Sequence, residues 1–100
     1  MIKHIVFWRL KDSADGRSAE ENAREMKARI EALAGRIPGL VSIEVGIDFS
    51  RTDSSADVAL YSELEDRAAL ARYQDHPEHV AVAGFVREVT SQRTVVDYEV

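Results

Sequence analysis

Cysteine is absent from the chain, which removes disulfides, thiolate metal sites and cysteine nucleophiles together. Two prolines and five glycines leave no low-complexity tract and no linker. No apolar run approaches the roughly 20 residues a bilayer-crossing helix requires. The opening also lacks a basic segment followed by a long apolar one, so no targeting segment is expected. Positive charge is in deficit: 13 Lys and Arg face 18 Asp and Glu, for a formal −5. That sign, with basic residues scattered, argues against a phosphate-backbone reader. A Gly-rich phosphate loop and a G-x-S-x-G elbow are missing too. What is present is 100 residues, 45% hydrophobic and 31% charged, the length of one domain over residues 1–100. At that size folding buries about two-thirds of the unfolded surface, enough for a modest core. A soluble cytoplasmic protein without nucleic-acid or membrane partners is expected.

Ile2 to Leu10 is rich in β-branched and aromatic residues and reads as a strand. Ile2, Val6, Trp8 and Leu10 share one face, while Ile5 and Phe7 occupy the other. Lys11 to Gly16 is a polar loop. Ser18 and Glu21 stand at capping-box spacing and open a helix. Its apolar stripe runs through Met26, Ile30, Leu33 and Ile37, and Gly35 and Pro38 end it. Leu40 to Asp48 alternates as a strand with Val41, Ile43, Val45 and Ile47 on one face. FSRTDSSA, Phe49 to Ala56, is a hairpin connection. Asp57 to Leu64 forms the third strand, with Val58, Leu60 and Leu64 on one side and Ala59 and Tyr61 on the other. A short helix from about Asp66 uses Leu70 and Tyr73 and halts before Pro77. Pro77 opens a further helix with Val82, Phe85 and Val89, and Thr94 to Val100 closes the chain as a strand.

The order β-α-β-β-α-α-β predicts a ferredoxin-like α+β domain, a four-stranded antiparallel sheet with helices on one face. The other face should then be polar, yet it carries Ile5, Phe7, Ala59 and Tyr61. Two copies packed sheet to sheet would cover these groups, so a homodimer is expected.

Chemistry concentrates in Tyr73-Gln-Asp-His76-Pro77-Glu78-His79. His76 and His79 stand three apart, too weak a pair for a metal site unless His4 or Glu78 joined them, and no metal or cofactor is expected. His76, before a proline at a helix junction, suits a ring bond to a backbone group. His4 shares its strand face with Val6 and Trp8. Asp97 in the last strand needs a partner if buried. His79 is the candidate partner, oriented by Asp97, with the Tyr73 hydroxyl nearby at the mouth of an apolar pocket. A lone histidine on an apolar strand face is more often a satisfied core residue than a ligand. Seven arginines, Arg87 and Arg93 among them, are too dispersed to define an anion site.

The opening MIKHIVFWRLK, the IPGLVSIEVG stretch, the segment from Leu70 through Tyr73 to His79 and the DYEV ending resemble the stress-responsive A/B barrel family over essentially the whole chain. The resemblance implies ferredoxin-like protomers that dimerise through their sheets into an α+β barrel. It also implies a ligand cavity between sheet and helices, and in cyclase-type members an acid–base tyrosine and histidine. Those positions here are Tyr73 and His79, with His4 and Asp97 on the matching strands. Cyclase-type members can carry a further polar residue on the third strand, where this chain has Val58 and Leu60.

Three functions follow. One is a dimer binding a small apolar or aromatic metabolite, with His4, Val6, Trp8, Val58, Leu60 and His76 around it. Another is a cofactor-free enzyme, cyclase-, lyase- or monooxygenase-like, with Tyr73, His79 and Asp97 catalytic. The third is a stress-protective structural dimer with a filled core.

Overall fold

In the computed structural model, which describes Met1–Val100, β1 (Ile2–Leu10) is a central strand of a four-stranded antiparallel sheet. A two-residue hairpin, β2 (Ser13–Ala14) with β3 (Arg17–Ser18), follows it. Its turn residues Asp15 and Gly16 both have positive φ, the backbone that a tight hairpin requires and that an Asp-Gly pair favours. This replaces the plain loop expected over Lys11 to Gly16.

Helix α1 (Ala19–Glu31) opens on the full capping box, the Ser18 side chain accepting from the Glu21 N–H while Glu21 accepts from the Ser18 N–H. The helix ends earlier than the stripe suggested. Leu33 and Ile37 lie beyond it, yet both are buried, so the apolar spacing read their burial correctly and their conformation wrongly. The Ile37–Leu40 turn carries Pro38 and then Gly39 at φ +87, and the Leu40 N–H donates to Ile37 O at 3.2 Å. That is a type II arrangement, which needs glycine at its third position.

β4 (Leu40–Ile47) pairs with β5 (Val58–Leu64) through a bulge between Leu40 and Ser42. The extra residue shifts the phase of the alternation. Leu40 is therefore paired with Leu64, and Val41, expected to share a face with Ile43, Val45 and Ile47, is left unpaired in the bulge; it is 51% exposed, as Ile47 at the far end of the strand is at 40%. After α2 (Arg67–Asp75) and α3 (Pro77–Val89), β6 (Thr90–Glu99) begins directly at the helix end, four residues before the expected Thr94.

Strand order is β4-β5-β1-β6, the α+β ferredoxin-like arrangement predicted from element order. One core cluster joins Val6, Trp8, Val45, Val58 and Leu60 to α1 and α3. A second gathers Ile2, Leu33, Ile37, Leu64, Ala69 and Tyr73 around α2. The opposite face of the sheet has no covering element: Phe7, Tyr61, Val96 and Tyr98 remain between 36% and 50% exposed. No helix is long and apolar enough to cross a membrane.

Candidate functional site

The site forms where α2 hands over to α3. Pro77 disfavours helical backbone at the residue before it, and His76 accordingly adopts φ −63, ψ 133. His76 serves as C-cap of α2 and N-cap of α3, its Nδ1 accepting the Glu78 N–H at 3.2 Å. This is the backbone bond suggested by its place in the sequence. His76 does not line the cavity described below, where it was expected.

His79, in the first turn of α3, reaches back across the junction, its Nδ1 lying 3.1 Å from Gln74 O. A carbonyl only accepts, so Nδ1 carries the hydrogen and Nε2 keeps its lone pair. The bond also satisfies a carbonyl near the end of α2 that would otherwise lack a partner. Burial holds the His79 pKa below the usual histidine value, which leaves the ring neutral at pH 7.

Tyr73, on the inner face of α2, is buried and its ring centroid lies 4.4 Å from that of His79 and 6.1 Å from that of His4. Its hydroxyl has no partner within the protomer. Burial pushes its pKa up to about 12, so it stays protonated and available as a donor.

The expected pairing of His79 with Asp97 does not form. Asp97 sits directly opposite His4 in the β1–β6 ladder, and its Oδ1 meets His4 Nδ1. On the other side of His4 lies Ser62 of β5, buried, whose hydroxyl donates to His4 O at 2.9 Å. The third main strand therefore does place a polar residue on the helix-facing side, although this hydroxyl is engaged by backbone. Sequence reading passed over Ser62, whose signal was its even spacing from Val58 and Leu60.

A cavity of about 550 Å³ opens between the sheet, α1 and α3. Of the expected residues, His4, Val6, Trp8, Leu60, Tyr73 and His79 line it. Val58 does not. It packs in the filled core near Val45 and Met26. Asp97 also stays off the wall and acts on the cavity through His4. Ile30, Leu33, Val82 and Val86 complete the apolar lining, while Thr90, Ser91 and Gln92 form part of the polar rim at the start of β6. Small residues on the inner side of α3, Val82 and Ala83, leave the space that larger ones would occupy. Neither at this site nor elsewhere do three His, Asp or Glu side chains converge as a metal-holding group.

The family model for the stress responsive A/B barrel domain matches residues 2–100. An uncharacterized protein of Streptomyces coelicolor is 33% identical over 99 residues, covering 99% of both chains. A dimeric protein of unknown function and ferredoxin-like fold from Bacteroides fragilis superimposes with a TM-score of 0.85 at 34% identity, over 99% of this chain and 95% of that one. The hydroxynitrile lyase of Passiflora edulis shares the fold, with a TM-score of 0.81 at 18% identity over 97% of this chain and 90% of its own.

Proposed function

We propose that this chain, which belongs to the stress responsive A/B barrel domain family, works as a homodimer whose protomers each bind a small, largely apolar or aromatic metabolite between sheet and helices. The observation carrying this reading is the cavity of about 550 Å³, apolar along its depth and bounded by Tyr73, His79 and the Asp97-held His4. Apolar walls with a few convergent polar groups are the usual build of a small-molecule site, and the volume falls in the usual range of about 300–1,000 Å³. A stress-protective structural dimer with a filled core has no role for such a space.

Dimerisation rests on the uncovered sheet face. Ile5, Phe7, Ala59 and Tyr61 form its centre, and Val96 and Tyr98 extend the patch along β6. A relative of known structure is itself dimeric. Light scattering should return twice the 11.2 kDa protomer mass at micromolar concentration.

A second reading, acid–base catalysis without a cofactor, is favoured by the state of two groups. His79 presents an unprotonated Nε2, and Tyr73 presents a protonated, unpartnered hydroxyl. In this reading a proton α to a substrate carbonyl passes to His79 Nε2, and the developing enolate oxygen receives the Tyr73 hydrogen bond. The enolate carbon then closes on a second carbonyl, whose oxygen becomes an alkoxide and takes back the proton held on His79 Nε2. In a conjugated substrate, the dienolate instead receives that proton at its γ carbon in an isomerisation. The role assigned to Asp97 moves from His79 to His4. The Passiflora edulis neighbour is a hydroxynitrile lyase, so the fold accommodates enzymes.

The test is a fluorescence titration with the neutral aromatic probe N-phenyl-1-naphthylamine. Saturable binding at one site per protomer, lost in Leu60→Trp with an unchanged circular dichroism spectrum, supports the reading. Absence of saturable binding, or equal binding by that variant, overturns it. His79→Ala separates the two functions: binding should weaken modestly, whereas turnover of any identified substrate should vanish.

A further inference from the structure

The cavity has an electrostatic character that its two histidines do not explain. In a chain with 18 acidic and 13 basic residues, none of the 16 lining residues is Asp or Glu, while two, Arg87 and Arg93, are arginines. Both stand outside every ion pair of the protomer. Seven of the other Lys and Arg residues do hold a carboxylate. The two are brought together by topology. Arg87 lies in the last turn of α3, and Arg93 lies on β6 opposite Trp8, so the direct connection between helix and strand sets both at one rim.

Local needs do not account for the pair. A cation in the last turn of a helix is favourable from any outward direction and has no reason to line a cavity. Arg93 shares its strand face with Asp97, but four residues of strand separate them by about 13 Å. Asp97 is in addition already engaged by His4. The guanidiniums therefore leave an uncompensated positive rim above an apolar interior formed by Trp8, Leu60 and Val86.

We infer that the ligand is a small aromatic or apolar acid, its ring among Trp8, Leu60 and Val86 and its anionic group received by Arg87 and Arg93. The inference rests on the cavity-binding reading above and adds the substrate class. Arginine suits carboxylate, sulfonate or phosphate oxygens because its planar fork donates two parallel hydrogen bonds. An anion held there would also fix which end of the molecule lies nearest Tyr73 and His79, so the arginines would position substrate for either function.

A matched pair of probes tests this: 8-anilinonaphthalene-1-sulfonate, and N-phenyl-1-naphthylamine, the same skeleton without the sulfonate. Arg87→Gln, Arg93→Gln and the double variant are titrated with both, and folding is checked by circular dichroism. The expected result is a loss of about tenfold in sulfonate affinity for each arginine, the scale of one charge-assisted hydrogen bond, with the neutral probe within twofold of the parent. Leu60→Trp should abolish both signals, which places the sulfonate in the cavity and not on the uncovered sheet. Equal shifts for the two probes, no shift for either, or sulfonate binding that survives Leu60→Trp overturns the inference. If the neutral probe binds normally while charge makes no difference, only the substrate class falls. If neither probe binds, the cavity-binding reading falls with it.

Discussion

Along β1, adjacent residues of similar apolar character meet opposite surroundings: Val6 and Trp8 are 1% and 5% exposed, whereas Phe7 between them is 41% exposed. The two faces of the sheet differ in what covers them more than in what they contain. On the helix side, burial changes the behaviour of polar groups: it raises Tyr73, lowers His79 and leaves them protonated and neutral respectively near pH 7. On the other side, the ionisable groups are only partly withdrawn from water, and at one end of the two central strands Lys3 binds Glu63 and Tyr61. There the Lys3 hydrogen bond keeps the Glu63 carboxyl below its usual range. One face therefore holds buried polar groups beside a cavity, and the other presents a broad, exposed apolar surface. Withdrawing a sheet face from water makes a site only where polar groups are left facing an unfilled space.

That contrast can be broken from either side. Phe7→Asp places a charge in the centre of the uncovered face. If two sheets meet there, an uncompensated buried charge should weaken the dimer by about 3–5 kcal/mol, giving protomer mass in sedimentation. A variant that stays dimeric would mean the sheets meet elsewhere or not at all. On the helix side, Met26 is fully buried, and Met26→Ala should cost about 2–5 kcal/mol in chemical denaturation. A loss below about 1 kcal/mol would show that this end of the core is as loosely filled as the cavity end.

Gly39 tests how closely α2 is held against the sheet connection. Its φ of +87 is unfavourable for alanine, and an added Cβ would stand 2.7 Å from Ala69 Cβ. Gly39→Ala should destabilise by about 1–3 kcal/mol from backbone strain, with more if α2 cannot shift. An unchanged melting temperature would refute that close approach. The smallest effect is that of pH. His79 titrates lower in the folded state than its value of about 6.5 when unfolded. Below about pH 6.5 the unfolded chain therefore binds more protons at this site. Stability should fall as the pH drops through that window, towards the folded pKa, and be unaffected by this group above it. His79→Gln should flatten that part of the pH–stability curve, and an unaltered slope would contradict the burial of the ring.

Much of the architecture was legible because its signals are local. The Ser18–Glu21 capping box, the break imposed by Pro77 and the two-residue alternation of β1 each depend on neighbours a few positions apart. His76 belongs with them, since a histidine before proline at a helix junction has a nearby amide to cap. The Asp15-Gly16 turn was equally readable and passed unnoticed, although that pair is a strong hairpin signal.

Pairing across the fold was a different matter. Asp97 announced itself as a carboxylate in need of a partner, but the choice of His4 over His79 was made by strand register, between residues 93 positions apart. The bulge at Val41 likewise arises from matching β4 to β5, and it removes that valine from the face that alternation had given it with Ile43, Val45 and Ile47. Arg87 and Arg93 looked dispersed because one belongs to a helix and the other to a strand, and only the fold gives them a common rim. Sequence by itself determined the order of the main helices and strands and most of the residues that would avoid water, because short-range sterics and periodicity settle those choices. Tertiary structure decided which polar groups meet and where space is left unfilled, because those depend on registers and packing distances between residues remote along the chain.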